Sequence, residues 1–180
     1  TFQHSMQVSN LATEAADSIG AQAQLVRTGA LYHDIGKMAN PTFFTENQNG
    51  VNPHTNLPYE ESAQIVISHV KDGVKIAEKL NLPQTIIDFI KTHHGTSKAK
   101  YFYNSYVNEH PDEEVNEELF TYPGPNPFTK EQALLMMADA VEAASRSLKE
   151  YTEENISKLV NTIIDSQIAD GLLNNSPISF

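Results

Sequence analysis

The chain has 180 residues, of which 39% are hydrophobic and 19% charged, a composition suited to one globular domain with its own core. Twenty-three Asp and Glu outnumber 12 Lys and Arg, and the formal charge of −11 argues against binding to a polymeric nucleic acid. The chain contains no Cys, which excludes disulfides and thiolate metal ligands and favours the cytosol, and no window is apolar enough for a membrane helix.

Apolar residues recur at helical spacing along most of the chain, and no comparable segment alternates as a strand does. We therefore predict an all-α fold, with residues 1–180 forming one domain. A first helix ends at Gly20 and carries His4 on the same face as Val8. A second helix is predicted over residues 21–37, with His33 on its inward face.

Residues 39–59 are rich in proline and asparagine, which predicts a long loop of the kind that often serves as a lid. His54 in this loop is interpreted as a surface histidine. A third helix is predicted over residues 60–80, with a kink near Asp72 and Gly73. His69 lies on the inward face of this helix.

Pro83 can start the next helix, which leads to His93 and His94. An aromatic segment, residues 101–106, is expected to pack against neighbouring helices, with base stacking as the alternative. Residues 109–128, including His110, are predicted to be solvated surface. Thr129 and Thr152 are expected to cap the last two helices.

Five of the seven histidines fall on inward helix faces, although a single inward histidine is more often structural than a ligand. A buried Asp139 needs a cation, and the candidates are Arg146 and a metal. Imidazole and carboxylate ligands suit transition metals, and the set is too large for one ion. If Asp34 bridges two ions, the first set is His4, His33, Asp34 and Asp139, and the second is Asp34, His69, His93 and His94.

The run His33-Asp34-Ile35-Gly36-Lys37, with His4 upstream and the other histidines and Asp139 downstream, resembles the HD phosphohydrolases. The resemblance is closer still to the cytoplasmic domain of the seven-transmembrane HD receptors, which degrade cyclic di-AMP. The runs that carry it are HSMQVSNLA, GALYHDIGKM, FTENQ, NPH, SHVKDG, FIKTHHGT, YPGPNP and MMADAVEAASR.

This resemblance implies an HD-domain helical bundle whose dinuclear site, holding manganese or iron, lies between helices. It implies hydrolysis of a 3′,5′-phosphodiester of cyclic di-AMP to the linear dinucleotide by a metal-bridging hydroxide, with a water or an unidentified acid protonating the leaving oxygen. Lys37 would contact the substrate phosphate, and Arg146 either binds phosphate or pairs with Glu142. The chain would be the cytoplasmic-side part of a longer membrane protein. The seven implied metal ligands are His4, His33, Asp34, His69, His93, His94 and Asp139.

Three alternatives stay open at this point. A cyclic di-GMP hydrolase of the HD-GYP type would need a Gly-Tyr-Pro motif after the histidine pair, where this chain has Gly95, Thr96 and Ser97. A one-metal nucleotide triphosphohydrolase would leave His69, His93 and His94 without a shared task. A non-catalytic nucleotide sensor would be expected to lack a ligand or Lys37.

Overall fold

The structure, a computed structural model, describes residues 1–179. These residues form seven α-helices and no strand beyond an isolated bridge between Lys98 and Thr121, which confirms the all-α prediction. Within this range no helix has the length and apolar character needed to cross a bilayer. The helices are α1 (Phe2–Ser18), α2 (Ala23–Tyr32), α3 (Tyr59–Lys79), α4 (Gln84–Thr92), α5 (Lys100–Glu109), α6 (Lys130–Ser145) and α7 (Glu153–Ala169).

The second helix is shorter than predicted, because α2 ends at Tyr32 and a 3₁₀-helix follows over Ile35–Ala39. This 3₁₀-helix packs so closely on α3 that a Cβ added to Gly36 would lie 1.7 Å from the His69 carbonyl oxygen. Tertiary packing on α3 therefore overrides the helical periodicity of the sequence here.

The predicted kink in the third helix does not interrupt it, since α3 is continuous through Asp72 and Gly73. Gly73 serves the close contact between elements instead. A Cβ on Gly73 would lie 3.2 Å from the Gly36 backbone nitrogen and 2.9 Å from the Ile90 side chain.

Three groups of apolar side chains hold the helices in place. The smallest consists of Ala77, Ile87 and Ile90 and joins α3 to α4, and the other two are more extensive. The larger joins α1, α2, α4 and α6, and it includes Phe89, whose ring lies where a Cβ of Gly29 would be. The other packs Ile67 of α3 against α5 and against Phe120, which lies after α5 in the chain. Phe102, Tyr103 and Tyr106 pack against this same group, as expected, whereas Tyr101 is 73% exposed.

Residues 109–128 are less solvated than predicted. A 3₁₀-helix, Glu117–Phe120, buries Phe120, and Tyr122 is also buried. His110 is at the surface as expected, 3.3 Å from Glu113. The predicted caps are present, since Thr129 Oγ1 accepts a hydrogen bond from the Gln132 amide and Thr152 Oγ1 accepts one from the Asn155 amide.

The long loop, residues 39–59, is held by contacts of its own. The interpretation of His54 as a surface residue is wrong, because its ring is half-buried between the rings of Phe43 and Phe102. His54 Nε2 also lies 2.8 Å from the Phe43 carbonyl oxygen. Phe44 is buried with its ring against His69, so the loop lies directly beside the predicted ligands.

Candidate metal centre

The seven side chains predicted as metal ligands lie together where five helices meet. All are buried except His94, which is half-buried. Three sets of three residues can be drawn from them, and within each set the candidate ligand atoms lie within 4.8 Å of one another. In chain order the cluster consists of His4 from α1, His33 and Asp34 after α2, His69 from α3, His93 and His94 after α4, and Asp139 from α6.

Asp34 stands at the centre of the cluster, with each carboxylate oxygen facing a different pair of histidines. Its Oδ2 is 3.5 Å from His4 Nε2 and 3.4 Å from His33 Nε2. Its Oδ1 is 3.4 Å from His69 Nε2 and 3.6 Å from His93 Nε2. The carboxylate therefore lies between two pairs of candidate histidine ligands.

The chemistry of these atoms fits a bound cation. Within residues 1–179, His33 Nε2 and both Asp34 oxygens are buried without a hydrogen-bond partner. Lys37 Nζ does lie 2.7 Å from Asp34 Oδ2, but as an ion pair that lacks the direction of a hydrogen bond. Buried polar atoms without a partner are costly, and metal coordination would satisfy these three.

Three of the histidines are oriented by the carbonyl oxygen three residues before them. The Nδ1 atoms of His33, His69 and His93 lie 2.6 Å, 2.6 Å and 2.8 Å from the carbonyl oxygens of Ala30, Val66 and Ile90. With Nδ1 donating to a carbonyl, Nε2 is the ring atom that can ligate a metal once it carries no proton. All three Nε2 atoms face Asp34.

Asp34 and His33 stabilise each other's charge inside the protein. Burial opposes ionisation of Asp34, but His33 and Lys37 hold its pKa well below the usual value. Burial likewise lowers the pKa of His33, but Asp34 and Asp139 outweigh burial and raise that pKa to about 10. A divalent ion would supply positive charge at the same place, and so would replace the His33 proton on binding.

His94 belongs to the group that it forms with His69 and His93, and its imidazole is neutral. Burial and the adjacent His93 and His69 rings lower the pKa of His94 well below its usual value. Its ring is stacked on Tyr122, with centroids 4.2 Å apart. Neutral imidazole is the form that binds metals.

Lys37 is an integral part of the cluster's edge and not a solvated lysine. Its Nζ lies 2.7 Å from Asp34 Oδ2 and 2.7 Å from Glu46 Oε1, and its side chain is 12% exposed. Glu46 belongs to the long loop and was not identified from the sequence. Contact between Lys37 and a substrate phosphate stays a prediction.

Glu142 is a further site residue that the sequence presented only as a partner of Arg146. It is buried, its Oε2 contacts His4 Nδ1, and its Oε1 is 2.8 Å from Arg146 Nη2. The signal that could have identified it is its spacing, since Glu142 follows Asp139 by three residues on one helix face. The Arg146–Glu142 pair is present, and phosphate binding by Arg146 stays a prediction.

An all-α frame whose helices direct histidines and two aspartates to one buried point defines a helical metal-site domain. Residues 1–144 match the HD domain family, and the chain belongs to that family.

Among its relatives, the cyclic-di-AMP phosphodiesterase PgpH of Listeria monocytogenes is 47% identical over 95% of this chain and 24% of that protein. The Bacillus subtilis cyclic-di-AMP phosphodiesterase PgpH is 41% identical over 100% of this chain and 25% of that protein. The chain thus spans about a quarter of the length of these curated relatives. The crystal structure of the L. monocytogenes PgpH HD domain in complex with cyclic-di-AMP is 45% identical, covers 99% of this chain and 83% of that chain, and superposes with a TM-score of 0.94.

Proposed function

We propose that this HD domain is a metal-dependent phosphodiesterase that hydrolyses cyclic di-AMP to the linear dinucleotide. Its cofactors would be two divalent transition-metal ions, manganese or iron. The two PgpH relatives, named for this activity, and the complex of the similar Listeria domain with cyclic di-AMP support the substrate.

The observation that carries the two-metal proposal is the position of Asp34 between two pairs of histidines. His4, His33 and Asp139 would complete one site with Asp34, and His69, His93 and His94 would complete the other. Imidazole and carboxylate donors, with no thiolate in the chain, suit manganese or iron better than a structural zinc site.

Bound at these residues, divalent metals would lower the pKa of a coordinated water and neutralise phosphate charge. The reaction consumes one water: a new P–O bond forms, the P–O3′ bond breaks, and the leaving oxygen takes a proton. Lys37 would place its ammonium group beside the phosphate oxygens at the cluster's edge, where charge accumulates in the transition state. Phe44 and Tyr122, packed on the histidine rings, would limit the access of bulk water.

The test is a side-by-side chromatographic assay of cyclic di-AMP and cyclic di-GMP with manganese added. We expect the adenine compound to be hydrolysed faster. Equal turnover, or a preference for the guanine compound, would overturn the substrate assignment. Elemental analysis should find close to two ions per chain, and a single ion at saturation would overturn the two-metal site.

The position of the domain on the cytoplasmic side of a membrane, within a longer membrane protein, stays a prediction. So does the assignment of residues 1–180 to a single domain.

A further inference from the structure

A cleft of about 540 Å³ lies between α6 and α7 and ends at the metal-ligand cluster. His93, His94 and Asp139 line its inner end. This volume is within the usual range for small-ligand pockets, about 300 to 1,000 Å³. We name it the α6–α7 cleft. If a substrate phosphate binds at the cluster, the group attached to that phosphate could therefore occupy this cleft.

The side chains on the two helix walls of the α6–α7 cleft are small and mostly apolar, which suits a flat aromatic ligand group. α6 contributes Ala140, Ala143 and Ala144, and α7 contributes Thr162 and Ile163. Alanine side chains are short, so they leave room for a planar ring between the helices. The face of a purine ring needs only apolar contact, not hydrogen bonds.

One polar group on the cleft wall has an unused acceptor. Gln167 is 8% exposed, and its Nε2 donates a long hydrogen bond to the Met136 carbonyl oxygen. Within the described residues its Oε1 is buried with no hydrogen-bond partner. The terminal torsion of a glutamine is broad, so rotation about it can turn this oxygen toward a donor in the cleft in exchange for the long Nε2 hydrogen bond.

Two lysines and one carboxylate, Asp170, line the α6–α7 cleft away from the metal-ligand cluster. Lys98 and Lys100 both line it, and each is held by an exposed carboxylate that a phosphate could displace: Lys98 by Glu117 at 2.7 Å and Lys100 by Asp170 at 3.6 Å. A cyclic dinucleotide has a second phosphate beyond the one that is cleaved, and the positive charge of the lysines suits it.

A larger cavity, about 810 Å³, between the long loop and α5 is less suitable. Glu46, Glu60 and Glu109 line it, and no Lys or Arg among residues 1–179 does so. Three carboxylates would repel a ligand with two phosphates. The charges therefore favour the α6–α7 cleft.

We infer that the α6–α7 cleft is the subsite for one adenine of the substrate, with Gln167 Oε1 accepting a hydrogen bond from the adenine amino group. This inference rests on the proposed hydrolysis of cyclic di-AMP. Adenine offers an amino donor at the position where guanine has a carbonyl acceptor, so an unpaired acceptor in the subsite selects adenine.

Thr162→Leu tests the subsite from α7, a helix that carries none of the predicted metal ligands, and its matched control is Asn161→Leu at the exposed neighbouring position. The kinetics of cyclic di-AMP are compared with those of bis(4-nitrophenyl) phosphate, a phosphodiester without a base. We expect Thr162→Leu to lower kcat/KM for cyclic di-AMP at least about tenfold more than for the small diester. Asn161→Leu should match the unmodified chain on both substrates.

Gln167→Met keeps the shape of the side chain but removes the acceptor. We expect it to lower the preference for cyclic di-AMP over cyclic di-GMP by about threefold to tenfold, the effect of one hydrogen bond. Gln24→Met, at an exposed position, is the control.

If Thr162→Leu lowers kcat/KM for both substrates equally, or for neither, the cleft does not bind the base, and the proposed function stands. An unmodified chain that cleaves the small diester but not cyclic di-AMP would instead refute the proposed function, and the adenine subsite with it. An unchanged preference in Gln167→Met would refute the role of that oxygen in selecting adenine.

Discussion

Lys37 Nζ lies 2.7 Å from Glu46 Oε1, so the lysine that follows the His-Asp pair is tied to the long loop over residues 39–59. The same Nζ lies 2.7 Å from Asp34 Oδ2 at the centre of the cluster. One ammonium group therefore connects the loop to the candidate bridging ligand. A substrate phosphate that binds Lys37 would exchange with Glu46, and the loop would respond to the ligand.

Replacing Lys37 by Ala should preserve metal content while slowing the hydrolysis of cyclic di-AMP by about a hundredfold, the usual effect of losing one charge-stabilising donor. Metal content should hold because Lys37 repels cations and donates no lone pair. Elemental analysis and steady-state kinetics provide the two measurements. Lys75→Ala, an exposed position on α3, is the control. Normal kinetics in Lys37→Ala would limit Lys37 to holding the loop.

Asp34→Asn is expected to lose at least one of two metal ions and to slow hydrolysis by more than about a hundredfold, because metal-supplied charge stabilisation is worth several kcal/mol. The amide has nearly the same size, so the helical fold should persist by circular dichroism. Asp17→Asn, exposed on α1, serves as the matched control. Two metals and near-normal turnover in Asp34→Asn would mean that Asp34 does not bridge.

Glu142→Gln should weaken metal binding by about tenfold to a hundredfold, because a carboxylate hydrogen-bonded to a ligating histidine fixes its orientation and raises its basicity. The contact between Glu142 and His4 Nδ1 provides this orientation. Metal affinity is measured by titration into the metal-free chain, and Glu154→Gln, at an exposed position of α7, is compared in parallel. Equal affinities in the two variants would reduce Glu142 to a partner of Arg146.

Gly36→Ala should lower the free energy of unfolding by about 3 kcal/mol or more, since the added methyl group meets backbone that cannot move aside easily. The obstacle is the His69 carbonyl oxygen, 1.7 Å from the new Cβ. Gly50→Ala separates this effect from backbone strain: nothing lies within 4 Å of its Cβ, but its φ is +81°, and it should cost only about 1 kcal/mol. Urea unfolding measures both variants. Similar losses in the two would show that α3 moves to accommodate residue 36.

Much of the candidate site could be predicted because its residues occur in short local sequence motifs. The pairs His33–Asp34 and His93–His94 and the helical spacing around His4 and His69 are local patterns. The structure brings those residues together as expected, on the predicted all-α frame. The same motifs predicted the family, and the match of residues 1–144 to the HD domain family confirms that prediction.

The errors lie where contacts between distant parts of the chain outweigh local preference. The predicted helix over residues 21–37 stops at Tyr32, because close packing of Gly36 on α3 requires a different path. His54 is held between Phe43 and Phe102, although its polar, proline-rich surroundings indicated the surface.

By itself, then, the sequence determined the helical frame, the chemical types of the candidate ligands and the family, since periodicity and motif spacing are local properties. Only the tertiary structure decided that each oxygen of Asp34 faces its own pair of histidines. It also decided that Glu142 contacts His4 from 138 residues away and that α6 and α7 leave a cleft open to the cluster. These features depend on how helices pack, because side chains distant in sequence acquire a distance and a direction only when the core has formed.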